Sequence, residues 1–296
     1  MQNTKRLSTL SALCAQFIFG FSFMFTKIAL GFASPITVIA DRYIVAFATM
    51  TIVVLFKKIK FKPSKNIFKL VLMSLFQPVL YFLCESYGIK LTTSGFSSVM
   101  ISLIPIVSIF AGIIFLKEIP SLMQYVFTFV SVLGVVIMVY SGKADGTVTA
   151  LGVVLLMGAV ISSVLYNVLS RKISKEFTAL ERTYAMMLIG LVVFASISFA
   201  ENFDNPANVI TPFKHPLYTV SVLYLGAVSS VAAFLLLNYA NTHLPVSKTT
   251  VFSNITTLVS VAAGIVFLDE KLSVVTVISA IMIIAGVWGV QLTNKY

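Results

Sequence analysis

The chain has 296 residues, of which 58% are hydrophobic and only 10% charged, and its mean hydropathy is +1.00. A soluble domain carries about 25% charged residues, so a soluble globular fold is excluded and an integral membrane protein remains. The net charge of +11 does not point to nucleic acid, because the basic residues sit in short loops with no aromatics interleaved.

A spanning helix needs roughly 20 mostly apolar residues, and the chain offers ten such runs. After the basic pair Lys5-Arg6, with no clear small-residue cleavage site following, the first runs from Leu7 to Thr26 and ends at Lys27. The second starts after Ser34-Pro35, carries Asp41 and Arg42 early, and reaches Phe56. The segment "KKIKFKPSK" follows. Span three, Phe68 to Gly88, contains Gln77-Pro78 and Glu85; span four, Thr93 to Leu116, contains Ser98, Ser102 and Pro105; span five covers Leu122 to Ser141. A polar turn, "GKADG", divides the chain into halves 1–142 and 146–296. Span six runs from Ala150 to Ser170, span seven from Thr183 to Ala200, and span eight from Leu217 to Ala240. Spans nine and ten are Thr249 to Leu268 and Val274 to Leu292. Cys14 and Cys84 lie inside apolar runs and read as small hydrophobes, not as a disulfide or metal site.

Lys and Arg concentrate in alternate loops. Lys5, Arg6, the 57–65 segment, Lys117, Arg171, Lys172, Lys175 and Lys295 fall on one side, leaving Lys90, Lys143, Lys214 and Lys271 on the other. The positive-inside rule then predicts both termini in the cytoplasm, in a multi-pass protein of the plasma membrane.

The halves repeat each other. Shifting Leu91–Tyr140 by 152 positions lays "AGIIFLKEIPS" on "AGIVFLDEKLS", pairing Gly112 with Gly264, Glu118 with Glu270 and Gly134 with Gly286. Five crossings per copy is an odd number, so the second copy enters the bilayer upside down. Inverted repeats recur in secondary transporters, because exchanging the conformations of two similar halves interconverts inward- and outward-open states.

Pro105, Gly112 and Glu118 at the end of span four, Gly134 after them, Arg42 in span two and "LSRK" at the end of span six carry a resemblance. The chain resembles the drug/metabolite transporter superfamily in its EamA-like branch. It departs from the family pattern at Phe19-Gly20, where Trp-Gly is usual, and at Thr257, where proline is frequent. The resemblance implies a central cavity lined by spans one, three, four, six, eight and nine, with five and ten peripheral. It implies export of metabolites, coupled to protons in some members. Amino acids, other metabolites, nucleotide sugars and drugs are all carried within the family.

An ionisable group at the centre of a span costs roughly 2.5–3.5 kcal/mol on insertion scales and usually faces a cavity or a partner. Glu85 is such a group, expected to meet a substrate amine or a proton, or else to pair with Lys27 or Arg42. Lys27, Asp41, Arg42 and Glu85 together could form a gate. Neighbours on a helix point about 100° apart, so Asp41 and Arg42 face different partners. Nearer mid-span lie Gln77 and Tyr81, then Ser98 and Ser102, Tyr166, Ser229, Asn254 and Thr257, which with Glu85 form the expected substrate site. Small hydroxyls in membrane helices more often serve helix packing, whereas larger amides need a partner once out of water. Glu118 and Glu270 read as structural, each favouring the N-terminus of the helix that follows it.

No acid–base, metal-ligand or phosphate-loop spacing occurs, so neither an enzyme nor an ATP-driven pump is expected, and no cofactor. The sequence points to an all-α secondary transporter, an exporter of small organic metabolites such as amino acids. A proton-coupled multidrug pump of the same fold is the alternative, and a membrane enzyme or lipid-handling protein a more distant one. The partners expected are a small-molecule solute and the lipid bilayer, with proton coupling and oligomeric state left open.

Overall fold

A computed structural model describes residues 2–56, 66–108, 121–144, 148–244, 249, 252–270 and 273–292. Ten apolar helices, and no strand, occur among them. Six are long and apolar enough to cross a membrane: α1 within Gln2–Ala29, α2 Pro35–Phe56, α3 Ile67–Lys90, α6 Ala150–Ile173, α7 Ala179–Glu201 and α8 Pro216–His243. The other four are α4 Ser94–Ser108, α5 Leu122–Ala144, α9 Ser253–Leu268 and α10 Val274–Leu292. A four-residue helix and a 3₁₀ turn lie between α7 and α8. Glu118, Gly112 and the 57–65 segment fall outside the described residues.

Polar caps set several starts. Thr93 Oγ1 accepts from Phe96 N at 3.1 Å, and Thr149 Oγ1 from Gly152 N at 3.1 Å. Thr178 and Glu181 form a reciprocal capping box at the start of α7. That box starts span seven at Ala179, earlier than Thr183, and brings Arg182 into the helix.

The core is the boundary between the halves. α1 packs on α8 and α9, α3 on α6 and α7, α2 on α7 and α8, and α4 on α6 and α9. Each contact has a repeat-related counterpart: α1 with α8 mirrors α6 with α3, and α2 with α8 mirrors α7 with α3. α5 and α10 pack chiefly on each other, away from the rest. Close approach across the boundary relies on glycine: a Cβ at Gly190 would collide with the ring of Tyr43, and one at Gly20 with Val259.

Hydrogen bonds fix the relative direction of the halves. Lys27, near the end of α1, reaches carbonyls at the end of α3, and Leu91 O accepts from Thr149 N just before α6. So α6 begins at the end of the bundle where its mate α1 finishes, as an inverted repeat requires.

Candidate functional site

A small, partly open cavity lies where the halves meet. Its walls come from α1, α3, α4, α6, α8 and the α9 region, with one residue, Arg42, from α2. Phe19, Phe23, Phe82, Ile101, Ile104, Phe234 and Leu237 give it an apolar surface, and Gln16, Gln77, Tyr81, Glu85, Ser163, Asn167 and Thr256 supply polar groups.

Gln77, Tyr81 and Glu85 are spaced by four along α3 and all reach the cavity. Tyr81 donates to Glu85 Oε1 at 2.9 Å. Opposite, Arg42 Nε donates to Ser230 at 2.7 Å and Nη2 to Ser229 at 3.1 Å, while the guanidinium lies 3.9 Å from the centre of the Phe82 ring. Among the described residues Arg42 and Glu85 form no ion pair with each other or with another side chain. Arg42 Nη1 and Glu85 Oε2 take no protein partner there. Both residues are nearly fully buried, at 2% and 3% exposure, so the cavity holds an arginine and a glutamate close enough to feel each other's charge but not in direct contact.

Two of the helices that form this cavity carry π segments at matching places, and α3 is broken within its own. α3 passes through a π segment at Leu75–Leu80, with Gln77 extended at φ −141°, ψ 112°, just before Pro78. A proline disfavours the helical region for its predecessor and removes one rung of the ladder. The carbonyl of Phe76 accepts from Ser162 Oγ at 2.6 Å as well as from Tyr81 N, which ties the break to α6. α8 carries its own π segment at Tyr224–Ala233, and the 152-residue shift places Gln77 on Ser229 and Pro78 on Ser230.

The remaining expected site residues point elsewhere. Ser98 and Ser102 bond back to Gly95 O and Val99 O of their own helix. Thr257 donates to Ser98 O at 3.0 Å, joining α9 to α4. Asn254 Oδ1 is buried without a partner. Tyr166 donates to Asn238 at 2.9 Å, and Ser229 holds Arg42. Asp41 turns away from Arg42, as adjacent helical positions must, and accepts from Tyr218. Lys27 caps the end of α3 through Ile89 O and Thr92 O. Among the described residues the four charged side chains take separate hydrogen-bond partners, and Lys27 takes carbonyls, not Glu85.

Glu270 differs from expectation in its partner. Its carboxylate accepts from Ser94 N at 2.8 Å and Gly95 N at 3.0 Å, at the start of α4 in the other half, not of the helix that follows it. Asp269 adopts a left-handed conformation (φ 51°) and Glu270 N bonds back to Gly264 O. That turn folds the side chain towards α4.

Two networks were not anticipated. Arg182 is fully buried and donates to Ser170, Asn238 O, Thr242 and Thr178 O, all of them neutral. Asn241 donates to Asn167 at 3.0 Å and accepts from Thr249 at 2.9 Å, closing α6 on α8 beside the cavity. The signal for the first was the Thr178-x-x-Glu181 box, which places Arg182 one turn inside a helix.

The profile of the EamA-like transporter family matches residues 6–140 and again residues 150–292. An uncharacterized transporter of Bacillus subtilis (strain 168), YcxC, is 32% identical over 95% of this chain and 91% of its own length. An uncharacterized transporter of Archaeoglobus fulgidus is 25% identical over 91% of this chain and 93% of its own. A crystal structure at 16% identity superposes with a TM-score of 0.69, covering 96% of this chain and 98% of that one, which speaks to the fold alone. With a cavity between two inverted halves and the family profile matched twice, the chain belongs to the EamA-like transporter family, as a multi-pass membrane transporter.

Proposed function

We propose that this transporter exports a small zwitterionic organic solute, of amino-acid type, across the plasma membrane by alternating access between its inverted halves. One observation carries the solute class: Arg42 and Glu85 face the same cavity with no salt bridge between them. A buried charge is costly unless paired, so a solute bringing one carboxylate and one ammonium would relieve both. Arg42 would hold the carboxylate through Nη1, and Glu85 would take the ammonium through Oε2. The aromatic and aliphatic walls would accept an apolar side chain. A proton-coupled pump for hydrophobic cations would share Glu85 but has no use for a buried arginine. Export as the direction, and both termini in the cytoplasm, rest on the family resemblance and on the loop charges.

The test is thermal unfolding of the purified protein with amino acids, simple amines and simple carboxylates. A solute at 100 times its dissociation constant stabilises by about 2.7 kcal/mol. Zwitterions should raise the midpoint of the wild type, with the effect lost in Glu85→Gln and in Arg42→Gln. Counterflow in proteoliposomes should then follow the same order of solutes. A panel in which only amines stabilise, and Arg42→Gln changes nothing, would sink the zwitterion reading.

A further inference from the structure

The π segments of α3 and α8 are related by the repeat, and so are the polar side chains they carry. In α8, the residues that meet Arg42 are Gly226, Ser229 and Ser230: a Cβ on Gly226 would lie 2.8 Å from Arg42 O, and the two serines accept from the guanidinium. The shift of 152 turns these positions into Ser74, Gln77 and Pro78 of α3. At that break, among the described residues, no protein cation arrives. The shift places Phe194 of α7 at the position of Arg42, and the arginine that α7 does carry, Arg182, donates to Ser170, Thr178, Asn238 and Thr242. Ser74 Oγ and Gln77 Oε1 are both buried without a hydrogen-bond partner. Gln77 is 5% exposed and lines the cavity, and its terminal torsion is broadly two-fold, so its oxygen can turn towards the cavity.

We infer that the break in α3 is a cation-accepting subsite, built on Gln77 Oε1 with Ser74 Oγ one turn away, at the place where the repeat-related π segment of α8 holds the Arg42 guanidinium. It lies on the same cavity wall as Glu85, on the far side of Tyr81. Broken transmembrane helices place unpaired oxygens at membrane depth, where they coordinate small cations or polar solute groups. The ligand is a compact cation taken by neutral oxygens, either free Na⁺ or the ammonium of the carried solute. The inference rests on the cavity being the solute path, but its test is an equilibrium binding measurement that needs no transport.

Purified protein in nanodiscs is titrated with NaCl against choline chloride at constant ionic strength, and separately with methylammonium chloride, reading the unfolding midpoint. Saturable stabilisation by Na⁺ identifies a free-cation site; saturable stabilisation by methylammonium with no effect of Na⁺ identifies the solute ammonium. Gln77→Met removes the oxygen that would bind the cation, so the half-maximal concentration should rise at least about tenfold. Gln77→Glu, adding an anion at the same place, should tighten it. These opposite directions separate binding from a general loss of folding. No saturable effect of either cation on the wild type, or equal effects in wild type and Gln77→Met, overturns the proposal. Solute stabilisation that persists in that event leaves the transport reading standing.

Discussion

Glu270 and Ser94 belong to opposite halves of the chain, and the Glu270 carboxylate accepts both the backbone N–H and the hydroxyl of Ser94 at 2.8 Å. The carboxylate thus caps α4 from across the boundary, where the helix dipole favours an anion. At the same end, Lys27 sits on the last carbonyls of α3, where the dipole favours a cation. The α3–α4 turn is held between a cation from α1 and an anion from beyond α9.

Loss of this cap should be read in stability. Removing an N-cap acceptor costs about 0.5–2 kcal/mol. Glu270→Ala should lower the unfolding midpoint by several degrees, and Glu270→Gln, which keeps one acceptor oxygen but no charge, by less. Equal midpoints for wild type and Glu270→Ala would show that the contact contributes nothing to stability.

Arg182 and Glu85 should behave in opposite ways. Arg182 gathers α6, α7 and α8 through neutral acceptors. Arg182→Met would remove these bonds; Asn238 O keeps Thr242 Oγ1, but a buried acceptor left without a donor costs about 1–3 kcal/mol. A large fall in midpoint and in yield is expected. Glu85 is a buried carboxylate with one hydrogen bond, from Tyr81. Glu85→Gln keeps an acceptor for Tyr81 and removes a buried charge, so its midpoint without solute should hold or rise while solute stabilisation disappears. Functional sites commonly trade stability in this way.

The ten-helix plan was legible because hydrophobic run length and an odd-numbered repeat act on the whole chain. The cavity stripe Gln77, Tyr81, Glu85 was legible too, since spacing by four keeps side chains on one face. Side-chain partners were not. Glu270 looked bound to its own next helix, because sequence neighbours suggest local capping, whereas the left-handed Asp269 turns it towards α4. Serines 98 and 102 looked available, yet a hydroxyl mid-helix can bond its own turn, which the sequence does not reveal. Arg182 was hidden by a span start set four residues late.

At the opposite end of the bundle, Lys69 and Asn66 both donate to Glu176 in the α6–α7 turn. The hydrogen bond from Lys69 first, with help from Asn66, holds the Glu176 carboxyl below its usual range. A carboxyl lowered on folding adds stability above the unfolded value, about 4.3, and that stability is lost as pH falls through the lower folded value. The pair is exposed, so the effect is small. Replacing Lys69 with Met should move the Glu176 titration upwards, as followed by carboxyl carbon NMR. An unmoved titration would show that the pair does not persist in solution.

Arg42 should not tolerate lysine. Its guanidinium uses a planar fork to reach Ser229 and Ser230 together while lying over Phe82. Lysine keeps the charge but offers a single point donor without the fork. Interhelical hydrogen bonds in membranes average about 0.6 kcal/mol and reach about 1.7, so Ser230→Ala alone should lower the midpoint modestly. In an Arg42→Lys background the same Ser230→Ala change should cost clearly less, since the bond it removes is already gone. That non-additivity in a double-mutant cycle measures the coupling directly. Arg42→Lys should also weaken binding of carboxylate-bearing solutes by about tenfold or more, because one charge-assisted hydrogen bond is worth about 1.5–3 kcal/mol. Full additivity together with unchanged solute binding would show that Arg42 serves only as a charge, and the fork would have no part in the site.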